Sequence, residues 1–165
     1  MDSTTGGDNR FYNNIFVGNG GPPASLSRTS ADPLRYGGYG PWVYDQREFP
    51  LSTGGNVYFA GARPCFQETG ALNRSAENPH VELLDEGVRG FLQLTLGADW
   101  GTAPTRLVNT ALLGKAKVPG LGYEAAGGGP ISVDTDYFGK KRSPVAPSAG
   151  PFEDPGPGRL KLRLW

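Results

Sequence analysis

An asparagine pair set between two short apolar runs constrains this chain more than any other feature. The stretch is Asp8-Asn9-Arg10-Phe11-Tyr12-Asn13-Asn14-Ile15-Phe16-Val17-Gly18. In extended backbone, side chains alternate between faces, so Phe11 is expected inward, Tyr12 outward, and Ile15 and Val17 inward after a bend at Asn13-Asn14. Asparagine suits such a bend because it tolerates left-handed dihedrals and its amide can bond neighbouring backbone or an identical amide stacked on it. Further on, Gly54-Gly55-Asn56-Val57-Tyr58-Phe59-Ala60-Gly61 repeats the order asparagine, β-branched, aromatic, apolar and nearby glycine. A rung that cannot bury its inner face alone needs another stacked on it. The second segment is therefore expected to follow the first, with residues 19–53 as an inserted loop.

Composition supports turn-rich β structure. The chain has 165 residues, room for one domain or little more, and carries 26 glycines and 15 prolines. Eight Phe, seven Tyr and three Trp supply too much apolar surface for a segment meant to stay solvated. The 16 basic and 16 acidic residues cancel, so no long-range field favours nucleic acid or an anionic membrane. With one cysteine, Cys65, and one histidine, His80, an internal disulfide and a His/Cys metal cluster are excluded within this sequence. Oxygen ligation of calcium stays open, without a specific motif to support it. No apolar run approaches the ~20 residues that span a bilayer, and residues 1–7 have neither the basic nor the apolar region of a secretory signal.

Beyond the second rung, residues 63–79 read as a connection with a helical turn at Phe66–Thr69. Trp42-Val43-Tyr44, Thr105–Thr110 and Ile131–Asp134 read as short strands. The clearest alternation lies in Leu92, Leu94 and Leu96 against Gln93 and Thr95, the signature of a strand with one face on a core and one in water. Together with His80–Asp85 it predicts a hairpin turning at Glu86-Gly87. Leu160, Leu162 and Leu164 alternate with Arg159, Lys161 and Arg163, which predicts another amphipathic strand.

Two stretches carry a family resemblance. Asn13-Asn14-Ile15-Phe16, with its asparagine pair, looks like a rung of the right-handed parallel β-helix repeat proteins, many of which cut or bind polysaccharides. Asp134-Thr135-Asp136-Tyr137-Phe138-Gly139-Lys140-Lys141-Arg142, followed by Gly150-Pro151-Phe152-Glu153, is similar to the element that closes many such chains, with Pro151 in place of an alanine. The resemblance implies an all-β fold: terminal β-helix rungs over residues 1–61, then a capping β-sheet or sandwich region over 62–165. It further implies the C-terminal part of a longer glycoside hydrolase or polysaccharide lyase-like protein, extracellular or periplasmic, with upstream rungs of the same parent chain as one partner and polysaccharide or oligosaccharide as the other. The alternatives are a self-contained glycan hydrolase or lyase and a non-catalytic structural or adhesion module.

The residues offer few catalytic constellations. Tyr36, Tyr39, Trp42 and Tyr44 lie among glycines, a possible aromatic platform for the C–H faces of sugar rings or a set of packed aromatics. Asp45 and Glu48 sit beside it as candidate hydroxyl or carboxylate partners, since glycosidases set two carboxyl groups across the bond they cleave. No spacing singles out a catalytic pair. Asp134 and Asp136 share a face of an extended segment, as a calcium or acid/base pair would, or one makes a turn while the other pairs with Arg142. The resemblance assigns Asn13, Asn14, Asn56, Asp134, Asp136, Gly139 and Arg142 to structural motifs.

Overall fold

The computed structural model describes residues 8–18, 40–45 and 51–165. Among them the chain is all-β, with one four-residue helix and two 3-10 turns. Strands β1 (Arg10–Tyr12) and β2 (Ile15–Val17) flank the asparagine bend, and β3 (Ser52–Gly54) and β4 (Val57–Phe59) flank Gly55-Asn56. They pair in parallel, Phe11 beside Thr53 and Phe16 beside Tyr58. A further parallel strand, β5 (Leu72–Arg74), sets Leu72 beside Val57, and a bridge joins Gly54 to Thr69. Residues 63–79, expected as a plain connection, thus extend the parallel layer.

The bend explains the register. Asn13 has φ 57°, and the residues stacked on it, Gly55 and Gly70, have φ 68° and 81°. Each strand pair turns through the same left-handed corner, which glycine occupies without strain and asparagine tolerates best among the others. The corner also resets the alternation. Phe11 and Phe16 share one face, their rings 6.0 Å apart, and Phe16 stacks on Tyr58 at 5.2 Å. Ile15 and Val17, expected on the face of Phe11, project the other way and pack with Val57, Phe59 and Leu72.

Against that second face lies an antiparallel sheet of β6 (Glu82–Asp85), β7 (Gly90–Leu96) and β8 (Gly158–Arg163). Strand β7 takes the centre, its Phe91 opposite Leu84 of β6 and its Leu94 opposite Leu160 of β8. Leu92, Leu94, Leu96, Leu160 and Leu162 join Trp100, Ala103 and Ala149 in one core with the parallel layer. The alternating leucines therefore fall on the buried face, and Lys161 on the open face lies 4.2 Å from the Phe91 ring centre. Val57, Tyr58 and Phe59 are almost wholly removed from water, a burial worth ~1.5–3 kcal/mol for each large apolar side chain.

Three short strands expected from sequence take other forms. Pro41–Tyr44 is a 3-10 turn, because proline opens a helical turn at no cost in hydrogen bonds. Over Thr105–Thr110 no strand forms. Asn109 instead caps α1 (Thr110–Leu113), its side chain accepting from the Leu112 N–H. Ile131–Asp134 contributes an isolated bridge, Ser132 to Asn109.

The remaining segments are tied to the first rung. The Arg10 guanidinium donates to the carbonyls of Leu113 (2.8 Å) and Lys115 (2.7 Å), pairs with Asp8 and lies 4.7 Å from the Tyr123 ring centre. That arrangement holds residues 113–123 against β1. Residues 104–106 cross the bends as a strap. Pro104 packs on Gly70, Thr105 packs on Gly55, and the Arg106 carbonyl accepts from the Asn13 amide at 2.7 Å.

Candidate functional site: a groove over the stacked bends

Where the strap crosses the bends, the outward faces of β1 and β3 form the floor of a groove. Tyr12, Asn13, Gly54, Gly55, Thr69, Gly70, Pro104 and Arg106 line a cavity of about 360 Å³. A second cavity of similar size continues past Tyr12 and Asn13 to Val108, Val133 and Arg142. Both fall in the size range of small-ligand sites.

The floor is flat because it has to be. A Cβ on Gly55 would come within 2.6 Å of the Asn13 Oδ1 and 3.0 Å of the Thr105 Cα. On Gly70 it would overlap the Pro104 ring. Bare backbone at these corners leaves the half-buried Tyr12 and the exposed Thr69 and Arg106 as the side chains that meet a visitor. A ring, a hydroxyl and a guanidinium around a flat polar floor can stack a sugar and hydrogen-bond its substituents. Among the described residues no carboxylate lines either cavity, so the groups they bring here offer stacking and hydrogen bonding without an acid/base pair.

Behind the floor, in the interior of the parallel layer, lies a polar network. The Asn56 side chain, fully buried, accepts from the Asn14 N–H (2.7 Å) and the Asn14 amide (3.0 Å). It donates to the Phe11 carbonyl (2.9 Å) and to Glu68 (2.8 Å). Glu68 also accepts from Thr53 and from the Tyr58 hydroxyl. Burial, reinforced by the Glu68 carboxylate, pushes the Tyr58 hydroxyl far above the ordinary phenol range. Burial likewise raises the Cys65 thiol. Every polar atom of this network is spoken for, so it braces the groove and does not bind ligand.

The residues singled out in the sequence scatter around this site. Tyr36, Tyr39 and Glu48 lie outside the described residues. Trp42 and Tyr44 share the 3-10 turn, with the Arg63 guanidinium 5.1 Å from the Trp42 ring centre and the Tyr44 ring 5.9 Å from Phe11. Asp45 accepts from the Phe66 N–H at 2.9 Å. Its carboxyl is raised by partial burial, a rise that this hydrogen bond and Arg63 partly offset. Asn13, Asn14 and Asn56 stand together at the bends.

Asp134 and Asp136 part company. Asp134 pairs with Lys141, which holds its carboxyl below the ordinary range. Asp136 accepts from the N–H groups of Phe138, Lys140 and Glu153. Desolvation opposes ionisation there, and those backbone donors outweigh it, so the carboxyl sits low. Gly139 supplies the left-handed step of that turn, φ 79°. Arg142 pairs with Glu153 at 3.4 Å and donates to the carbonyls of Ser148 and Gly150. Of the two alternatives for these aspartates, the one that set Arg142 against an aspartate gives way to the buried glutamate, which also accepts from the Ser143 and Ser148 N–H groups. Among the described residues no group of three or more His, Cys, Asp and Glu side chains is placed to hold a metal ion.

Sequence reasoning missed Thr69, Pro104 and Arg106 because they meet Tyr12 only through the stacking. The signal available was the recurrence of a left-handed residue, Asn13, Gly55 and Gly70, at the same point of each turn.

Comparison with known proteins adds one relative in structure. No protein-family model matches the chain, and no curated protein matches it. The chain is similar to a solved structure of XylC in complex with xylose, with a TM-score of 0.78 and 26% identity over 97% of this chain. The match spans 26% of the XylC chain, about a quarter of its length.

Proposed function

We propose that this chain is the C-terminal part of a longer polysaccharide-processing protein of the right-handed parallel β-helix type, and that it contacts glycan through the groove over its bends. The observation that carries the reading is the match to XylC, a protein solved with xylose, at 0.78 over nearly the whole of this chain. Parallel pairing of β1 with β3 and of β2 with β4 supports the stacked-coil part. So do the edges of β1 and β2, which have no further strand partner among the described residues. Natural proteins cover such edges, because unpaired N–H and C=O groups invite other strands; preceding coils of the parent chain would cover these. The antiparallel sheet then closes the flank of the coil, and the turn built on Asp136, Arg142 and Glu153 locks the chain that follows. In this reading catalysis belongs to the parent protein, and the described lining of the groove contributes contact with the glycan.

Calorimetric titration of the 165-residue chain with xylotetraose, cellotetraose and tri-galacturonate tests the glycan part. Binding of at least one, lost in Tyr12→Ala with the circular dichroism spectrum unchanged, is the expected result. Binding of none, or binding indifferent to Tyr12, would overturn it.

A further inference from the structure

The groove has a charge it does not use. Arg106 is exposed, and its guanidinium has no hydrogen-bond or ion-pair partner among the described residues, although its backbone is fixed. The Asn13 amide holds its carbonyl at 2.7 Å, and the preceding Thr105 is buried, its hydroxyl bonded to the Pro147 carbonyl. Three other arginines of the first rung and its surroundings are committed: Arg10 to Leu113, Lys115 and Asp8, Arg74 to Asp99, and Arg142 to Glu153. A cation with a fixed root, in a cavity of about 360 Å³ without a carboxylate among its described lining residues, is arranged for an anion brought by a ligand.

We propose that this groove selects an acidic glycan, with a hexuronate carboxylate received by Arg106 and the adjoining sugar ring lying on Tyr12. The inference rests on the glycan reading above and refines it. Planar guanidinium matches a carboxylate with two parallel N–H···O bonds, a geometry that a neutral hydroxymethyl group cannot reproduce. The exposed Thr69 across the bend offers a hydroxyl to the sugar's own hydroxyls, and the glycine corners let the ring approach the backbone. The rooted backbone limits the ordering cost to the Arg106 side chain, which favours a measurable preference at an exposed site.

The test compares xylotriose with xylotriose carrying one glucuronic acid branch, both titrated calorimetrically into the whole chain at low and at physiological salt. The acidic ligand is expected to bind roughly tenfold tighter at low salt, the order of one charge-assisted contact, and the ratio should narrow as salt screens the charge. Arg106→Gln should bring the ratio to about one, whereas Arg159→Gln, a cation on the open face of the antiparallel sheet, should leave it in place. Equal binding of the two ligands by the unaltered chain, or a preference that survives Arg106→Gln, would overturn this inference and leave the glycan reading standing. Failure of both ligands, and of cellotetraose and tri-galacturonate with them, would overturn both. Unchanged thermal midpoints for the two variants would show that neither result reflects unfolding.

Discussion

Asn56→Ala should be among the most damaging single substitutions in this chain, although it removes no charge and little apolar surface. The side chain is fully buried, and its carboxamide joins two strand pairs at once, accepting from the Asn14 N–H at 2.7 Å and donating to the Phe11 carbonyl at 2.9 Å. Truncation strips partners from both backbone groups and from Glu68. Each buried group left unsatisfied costs ~1–3 kcal/mol. With water reaching some of them, a total of about 3–5 kcal/mol follows, a large share of the ~5–15 kcal/mol that holds a domain together. Asn14→Ala removes only donors from the side chain, at a half-buried position, and should cost about 1 kcal/mol. Asn56→Asp keeps the acceptor toward Asn14 but sets a second carboxylate where the amide lay 2.8 Å from Glu68. Like charges raise the folded-state pKa of such a pair, so its penalty should be greatest at neutral pH and shrink as pH falls toward 4.5. Urea unfolding followed by tryptophan fluorescence measures all three. An Asn56→Ala loss under 1 kcal/mol, or one no larger than that of Asn14→Ala, would refute the reasoning.

Further predictions follow from the same structure. Gly18→Ala should destabilise strongly, because a Cβ there would overlap the Ala60 carbonyl oxygen and no flexible side chain can yield; a lowered thermal midpoint checks it. Arg10→Met should loosen residues 113–123, seen as faster amide exchange confined to that segment, since it removes the bonds to the Leu113 and Lys115 carbonyls. Asp136, held below its ordinary range in the folded state, contributes stability that is present above the unfolded carboxyl value and lost as pH falls through the folded one. In Asp136→Asn, stability at neutral pH should fall and its decline with acid should flatten, as urea midpoints between pH 6 and about 2.5 would show. The buried Cys65, with its thiol raised by burial, should resist a thiol reagent in the native chain and react at once in urea.

The sequence carried the local logic of the fold and missed its geometry at the corners. Leucines alternating in β7 and β8 announced an amphipathic sheet, and it forms with those leucines inside. Ile15 and Val17 point into a core as expected, but strict alternation carried through Asn13-Asn14 put them on the face of Phe11, because a left-handed corner consumes a residue and shifts the phase. Strand β5 escaped notice for a different reason: Leu72-Asn73-Arg74 is too short to show a period and pairs only because β4 presents an edge. The Thr105–Thr110 run looked extended, yet Asn109 caps a helical turn that starts at its last residue. The groove was least legible. Tyr12 was expected to face outward, but nothing local in Thr69 or Arg106 says that stacking brings them to it. Asp136 and Arg142, read from a closing-motif resemblance, lie in one turn-rich network, with Glu153 as the partner that composition could not single out.

Heteronuclear NMR of the isotopically labelled chain during titration with xylotetraose is the most direct test of the central claim, that the stacked bends form a glycan-contacting groove. The account predicts saturable shift changes centred on the amides of Tyr12, Gly54, Thr69, Gly70 and Arg106, with the open face of the antiparallel sheet around Phe91 and Lys161 undisturbed. Shifts confined to that sheet, or no saturable shifts at millimolar sugar, would contradict it.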